Sequence, residues 1–240
     1  MSKRPNIPPQ IGFDRFVPLD WAQCALRVRN GQDSLETLDA LIEAAEPGAA
    51  SRKKSRSVLK GLWLEPRPEL SDFADRGAAI ARATSDAAIP ALCWGMAITA
   101  YPFFGKVAEV IGRLSAIQGD CTTIEVQRRM AETYGERETA YRATNRVIQT
   151  QASWTGIVRT DEGRRIVRRE PLMIREETLV TWLIEAAIRY AGRALPVAAL
   201  QAATALYPFR LEGSLPFMIS LCPTLELRAD SGSSQLVAIP

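Results

Sequence analysis

Apolar positions fall at helical spacing from Leu19 to Ala83, after an opening stretch that Pro5, Pro8, Pro9 and Pro18 keep extended. The pattern predicts one helix in "LDWAQCALRVRN", ended by Gly31, and a second in "DSLETLDALIEAA", capped by Asp33 or Ser34. A third opens at Ser51 in "SRKKSRSVLKGLWL"; "EPRPEL" interrupts the pattern, and "SDFADRGAAIARA" resumes it with Ser71 as the expected cap. The run from Ala87 to Phe104 carries no charge. Pro90 and Pro102 bracket it and Gly95 and Thr99 lie inside it, so the expectation is a buried central helix rather than a membrane span.

From Pro102 the helical period returns. Val107, Val110, Ile111, Leu114 and Ile117 share one face of a helix that starts at Pro102 and leaves at Gly119. "TTIEVQRRMAETYG" predicts the next helix, capped by Thr122 or Thr123 and closed by Gly135, and residues 137–154 a third. Two short strands then flank Asp161-Glu162-Gly163, where glycine suits a hairpin turn that needs positive φ. The last third repeats this order in shorter form. It runs through an amphipathic helix with Leu179, Trp182, Leu183, Ala186 and Ile188, a helix with Pro196 in its first turn, the apolar "GSLPFMISL", and two strands around Asp230-Ser-Gly.

The expected fold is therefore mainly α with short β-hairpins: a helical N-terminal region followed by tandem winged-helix-like units. The divisions read as an extended arm (1–18), a helical domain (19–100), a central winged helix (101–174) and a C-terminal winged-helix-like unit (175–240).

Charge changes this picture at one place. Residues 134–169 hold eight arginines and four carboxylates, a net +4 in a chain whose total is +3. A helix-turn-helix sets its second helix in the DNA major groove. On residues 137–154, Arg142, Asn145, Arg146 and Gln149 lie opposite the apolar Ala140, Ala143, Val147, Ile148 and Trp154. Arginine suits guanine O6 and N7, and the amide side chains suit adenine N6 and N7. Arg137 and Thr139 stand at the helix entrance and Arg128 and Arg129 near the end of the bracing helix, all suited to phosphate. Arg159, Arg164, Arg165, Arg168 and Arg169 make the hairpin a basic wing for backbone or minor-groove contact. A separate patch, Arg52, Lys53, Lys54 and Arg56, opens the third helix, where cations oppose the macrodipole and an external anion would offset the repulsion.

Other chemistry is thin. The chain has no histidine, and Cys24, Cys93, Cys121 and Cys222 form no C-x-x-C pair, which excludes Cys-His zinc sites, zincin motifs and Ser-His-Asp triads. No Gly-rich phosphate loop or nucleophile elbow is present, and none of the five lysines follows Lys106. The expectation is a non-enzymatic protein without metal or cofactor. The opening residues lack the apolar core of a signal peptide, so the expected location is cytoplasmic.

Residues Pro102 to Arg169, with their turn at Tyr134-Gly135-Glu136 and Trp154 before the first wing strand, resemble the winged-helix superfamily. The order of the first half, with its basic "SRKKSRSVLKGLWLEP" and the later "AITAYPFFGKVAEVIGRL", resembles in layout the small helical DNA-binding subunit of BREX phage-defence systems. That resemblance implies double-stranded DNA as partner and an accessory role in a defence complex. The apolar C-terminal unit points instead to an interface, either with the rest of the chain or with a partner, in a homodimer or with another protein. The alternative function is thus a winged-helix adaptor or scaffold subunit.

Overall fold

The computed structural model describes residues 9–229 and 235–240. The first eight residues of the arm and the Asp230-Ser-Gly turn lie outside the described residues. The chain is mainly helical, with short strands in three small sheets.

Four helices open it: α1 (Leu19–Arg29), α2 (Leu35–Ala45), α3 (Ala49–Leu59) and α4 (Ser71–Ala83). Ser34 caps α2 by accepting from the Thr37 N–H. Two expected starts are corrected. Helix α3 begins two residues early, with Gly48 as its cap. Ser71 is the first residue of α4 rather than its cap, because a 3-10 turn at Pro68–Leu70 leads into the helix. The Ser71 oxygens instead accept from Arg29.

Helix α5 (Ile89–Ala100) is the buried central helix; residues 91–99 are all shielded from solvent. No single helix among the described residues is long and apolar enough to cross a membrane, and the chain turns by 115° between α5 and α6 (Pro102–Gln118). On α6, Val107, Val110 and Ile111 are buried and Leu114 is half-buried. Ile117 departs from the expected face and is 79% exposed, since it lies in the last turn beyond the packed region.

After α6 come β1 (Asp120–Thr122), α7 (Thr123–Tyr134), α8 (Glu138–Ser153), β2 (Ile157–Thr160) and β3 (Arg165–Arg168). The three strands are antiparallel in the order β1-β3-β2, with Cys121 opposite Ile166 and Ile157 opposite Arg168. Thr122 and Glu125 close a reciprocal capping box at the start of α7. Gly135, at φ 80°, ends α7 and lets the chain turn into α8. The hairpin turn carries positive φ at Asp161, Glu162 and Gly163.

Strand β4 (Leu172–Ile174) leads to α9 (Glu177–Ala191), β5 (Leu195–Pro196), α10 (Val197–Gln201), β6 (Phe209–Leu211), α11 (Leu215–Leu221), β7 (Glu226–Ala229) and β8 (Gln235–Ala238). Here too the first strand pairs with the third: the sheet order is β5-β8-β7. Pro196 ends β5, opposite Leu236, rather than sitting in the first turn of α10. The parallel pair β4-β6 ties the linker to the last unit.

One continuous core runs from Phe13 to Val237, so the arm, the helical region and both later units share it. Helix α9 lies in the core, with Val180 and residues 182–188 all buried. Its Trp182 stacks on Phe73 at 4.3 Å and donates to the Phe73 carbonyl at 2.9 Å. Gly95 of α5 faces that indole so closely that any Cβ would collide with it. Glu185, fully buried on α9, is held by Arg76 of α4 at 2.7 and 2.8 Å, by Arg189 at 2.8 Å and by Thr224 at 2.9 Å.

Candidate nucleic-acid interface

Helix α8 buries Ala140, Ala143, Thr144, Val147, Ile148 and Gln151 on one side and presents Glu138, Thr139, Arg142 and Arg146 on the other. This is the 3.6-residue period expected of a helix with one face in the core. The four residues proposed for base reading do share the outer arc, but unequally. Arg142 and Arg146 are exposed, whereas Asn145 and Gln149 are half-buried. The Asn145 Oδ1 is buried without a protein partner, and Gln149 accepts from Arg146 at 3.0 Å. Among the described residues neither Arg142 nor Arg146 makes an ion pair.

A second element covers one flank of α8. The extended arm lies along it in the same chain direction. Arg137, just before α8, donates to the Pro9 carbonyl at 3.4 Å. Toward the other end, the Val17 N–H donates to Thr150 Oγ1 at 3.0 Å, and the Trp154 Nε1 donates to the Val17 carbonyl at 3.0 Å. The Leu19 N–H donates to Ser153 Oγ at 3.1 Å. Phe13 anchors the middle of the arm, fully buried against Tyr101 and Phe104 with ring centroids 5.3 and 5.2 Å away. A groove of about 680 Å³ remains between arm and helix, with Thr139, Arg142 and Arg146 on one wall.

The arginines of the β2–β3 hairpin are more committed than their sequence positions suggest. Arg164 pairs with Asp161 at 3.0 Å and Glu162 at 3.5 Å within the hairpin turn. Arg165 is bound by Asp120 across the sheet. Arg159 donates to the Gly163 carbonyl at 3.1 Å. Arg168 turns away toward the last unit, donating to the Tyr207 carbonyl at 2.9 Å and lying 5.3 Å over its ring. Arg169 is exposed. Exposed ion pairs such as those of Arg164 and Arg165 are worth about 0–1 kcal/mol, so a phosphate exchanges for them readily.

On α7, Arg128 is exposed and Arg129 pairs with Glu132 at 2.9 Å. On α3, Arg52 binds the Glu46 and Pro47 carbonyls and Glu43, and Arg56 pairs with Asp39. Lys53 and Lys54 are exposed and carry no ion pair among the described residues. Lys54 joins the wall of the arm–α8 groove. The two basic patches thus meet through this lysine.

Three of the four cysteines are buried, and burial pushes the Cys24, Cys93 and Cys121 thiols up to about 12. They are packing groups at neutral pH, not thiolates. Among the described residues no three Cys, Asp or Glu side chains converge as a metal-ligand set. No family model matches the chain, and no curated protein or solved structure matches it.

Proposed function

We propose that the chain is a non-enzymatic, double-stranded DNA-binding protein of winged-helix type, with α8 as its reading helix and the β2–β3 hairpin as its wing. The observation that carries this reading is the pair Arg142 and Arg146. Both are exposed and free of ion pairs among the described residues, on the helix that follows the turn at Gly135. The order helix, strand, helix, helix, hairpin, with the first strand beside the third, supports the winged-helix assignment, and the last unit repeats it with β6 inserted between α10 and α11. B-form DNA is favoured over duplex RNA, because an α-helix enters the B-form major groove and not the deep, narrow groove of A-form RNA.

With Asn145 and Gln149 half-buried, most of the affinity comes from arginine–phosphate contact and a smaller part from base reading. A cytoplasmic location without cofactor accompanies the reading. The layout resemblance extends it to an accessory subunit of a bacterial phage-defence complex.

A second reading, a winged-helix adaptor, rests on α11. This counterpart of α8 in the last unit exposes Phe217 by 58% and Leu221 by 64%, as a protein-binding helix would.

Fluorescence anisotropy with labelled duplex across a salt series separates the two readings. The DNA reading expects micromolar or tighter binding at low salt that falls steeply as salt rises. No binding at low salt would leave the adaptor.

A further inference from the structure

We propose that the groove between the arm and α8 is a phosphate track that grips the backbone of one DNA strand, making the N-terminal region part of the binding surface. This rests on the DNA reading of α8 and adds to it residues that no reading helix supplies. Five cations line the groove: Arg15 from the arm, Lys54 from α3, Arg137 just before α8, and Arg142 and Arg146 on α8. The one carboxylate among them is Asp14, half-exposed and no closer than 4.0 Å to Arg15.

Elsewhere many of the arginines are matched by carboxylates, as Arg164, Arg165 and Arg56 are. In the groove five cations share one carboxylate instead. Among the described residues Arg137 reaches only a carbonyl, Arg146 only an amide, and the buried Arg15 Nε has no hydrogen-bond partner, with the Asp14 carboxylate 4.0 Å away. Like charges gathered in a concave, partly desolvated site focus a positive potential and are relieved by an incoming anion. Unmet guanidinium donors are matched geometrically by phosphate oxygens.

The arm is a fixed wall, since Phe13 and Val17 are fully buried and the Val17 backbone is bonded to Thr150 and Trp154. A groove of about 680 Å³ is on the scale of small-ligand sites, about 300–1,000 Å³, and does not admit a duplex. It does admit the phosphates of one strand. With α8 in the major groove, one bordering backbone runs beside the helix, where the arm stands.

The test uses the full chain, labelled duplex DNA and inorganic triphosphate as a free phosphate source, with Arg15→Ala/Lys54→Ala and Lys54→Glu as variants. Lys54 is exposed, so Lys54→Glu folds even if the double variant does not. Each lost phosphate contact reduces the slope of log K against log salt by about 0.9. The track predicts a slope shallower by about 2 in the double variant and by about 1 in Lys54→Glu, with sequence preference unchanged. Unchanged slopes in both variants, with wild type still binding duplex steeply, would overturn the track and leave the reading of α8 intact. Triphosphate bound through Arg15 and Lys54 by a protein that does not bind duplex would also overturn the strand assignment, and the DNA reading with it.

Discussion

Glu185→Ala is expected to lower the stability of the fold by about 3–5 kcal/mol, the cost of removing one partner from a buried ion pair. In a chain of this size that corresponds to a fall in melting temperature on the order of 10 °C. The carboxylate is fully buried and holds Arg76 of α4, Arg189 of its own helix and Thr224 of the last unit. Removing it leaves two guanidinium groups facing a void where the helical region meets the last unit. The loss should sit toward the lower figure, because Arg76 and Arg189 keep 30% and 23% of their side-chain surface in water.

The same group sets an acid limit. Burial alone would raise the Glu185 carboxyl, but the hydrogen bonds and charges of Arg76 and Arg189 outweigh it and hold the group below the usual carboxylate range. The unfolded chain therefore takes up this proton first. The stabilisation is complete above about pH 4.3, the unfolded value, and is lost as pH falls through the lower folded value. Urea midpoints for wild type and Glu185→Gln should differ at pH 7 and converge as the pH falls below that of the free carboxylate. A constant gap across that range would remove Glu185 from the acid response.

The second large effect concerns binding. Arg142→Glu/Arg146→Glu is expected to weaken duplex binding by at least about 100-fold, since each lost charge-assisted contact is worth about 1.5–3 kcal/mol and each new carboxylate repels phosphate. Both side chains are exposed and neither makes an ion pair among the described residues, so the melting temperature should barely change. The neutral pair Arg142→Ala/Arg146→Ala refines the result. A slope against salt that falls by about 2 places both groups on phosphate. A preserved slope with lost sequence preference places them on bases. Wild-type affinity in the charge-reversed protein would contradict any role for this face.

What the sequence revealed followed local chemistry. The threonines at 122 and 123, Gly135 and the Asp161-Glu162-Gly163 turn marked the start of α7, its end and the hairpin, because caps and positive-φ turns are written in a few adjacent residues. Strand β1 escaped, since three residues show no period and Asp120–Thr122 is a strand only through pairing with β3. The burial of Glu185 on α9 has no local sign; only its distant partner Arg76 allows the charge inside.

At the site, the outward placement of Arg142 and Arg146 was legible from helical spacing. The shielding of Asn145 and the commitment of Arg168 to Tyr207 were not, because both depend on the tertiary surroundings. The arm did leave a trace: its prolines predicted an extended chain. Which helix it meets, and the approach of Lys54 to the same groove, are long-range facts without a local signature.

The central claim, that the outer face of α8 meets DNA, is tested most directly by site-specific photocrosslinking. A photoreactive residue placed at Glu138, exposed at the start of α8, is compared with one at Phe217 on α11. The account predicts that labelled duplex is captured from position 138 and not from 217. Capture from 217 alone, or from neither position, would contradict it.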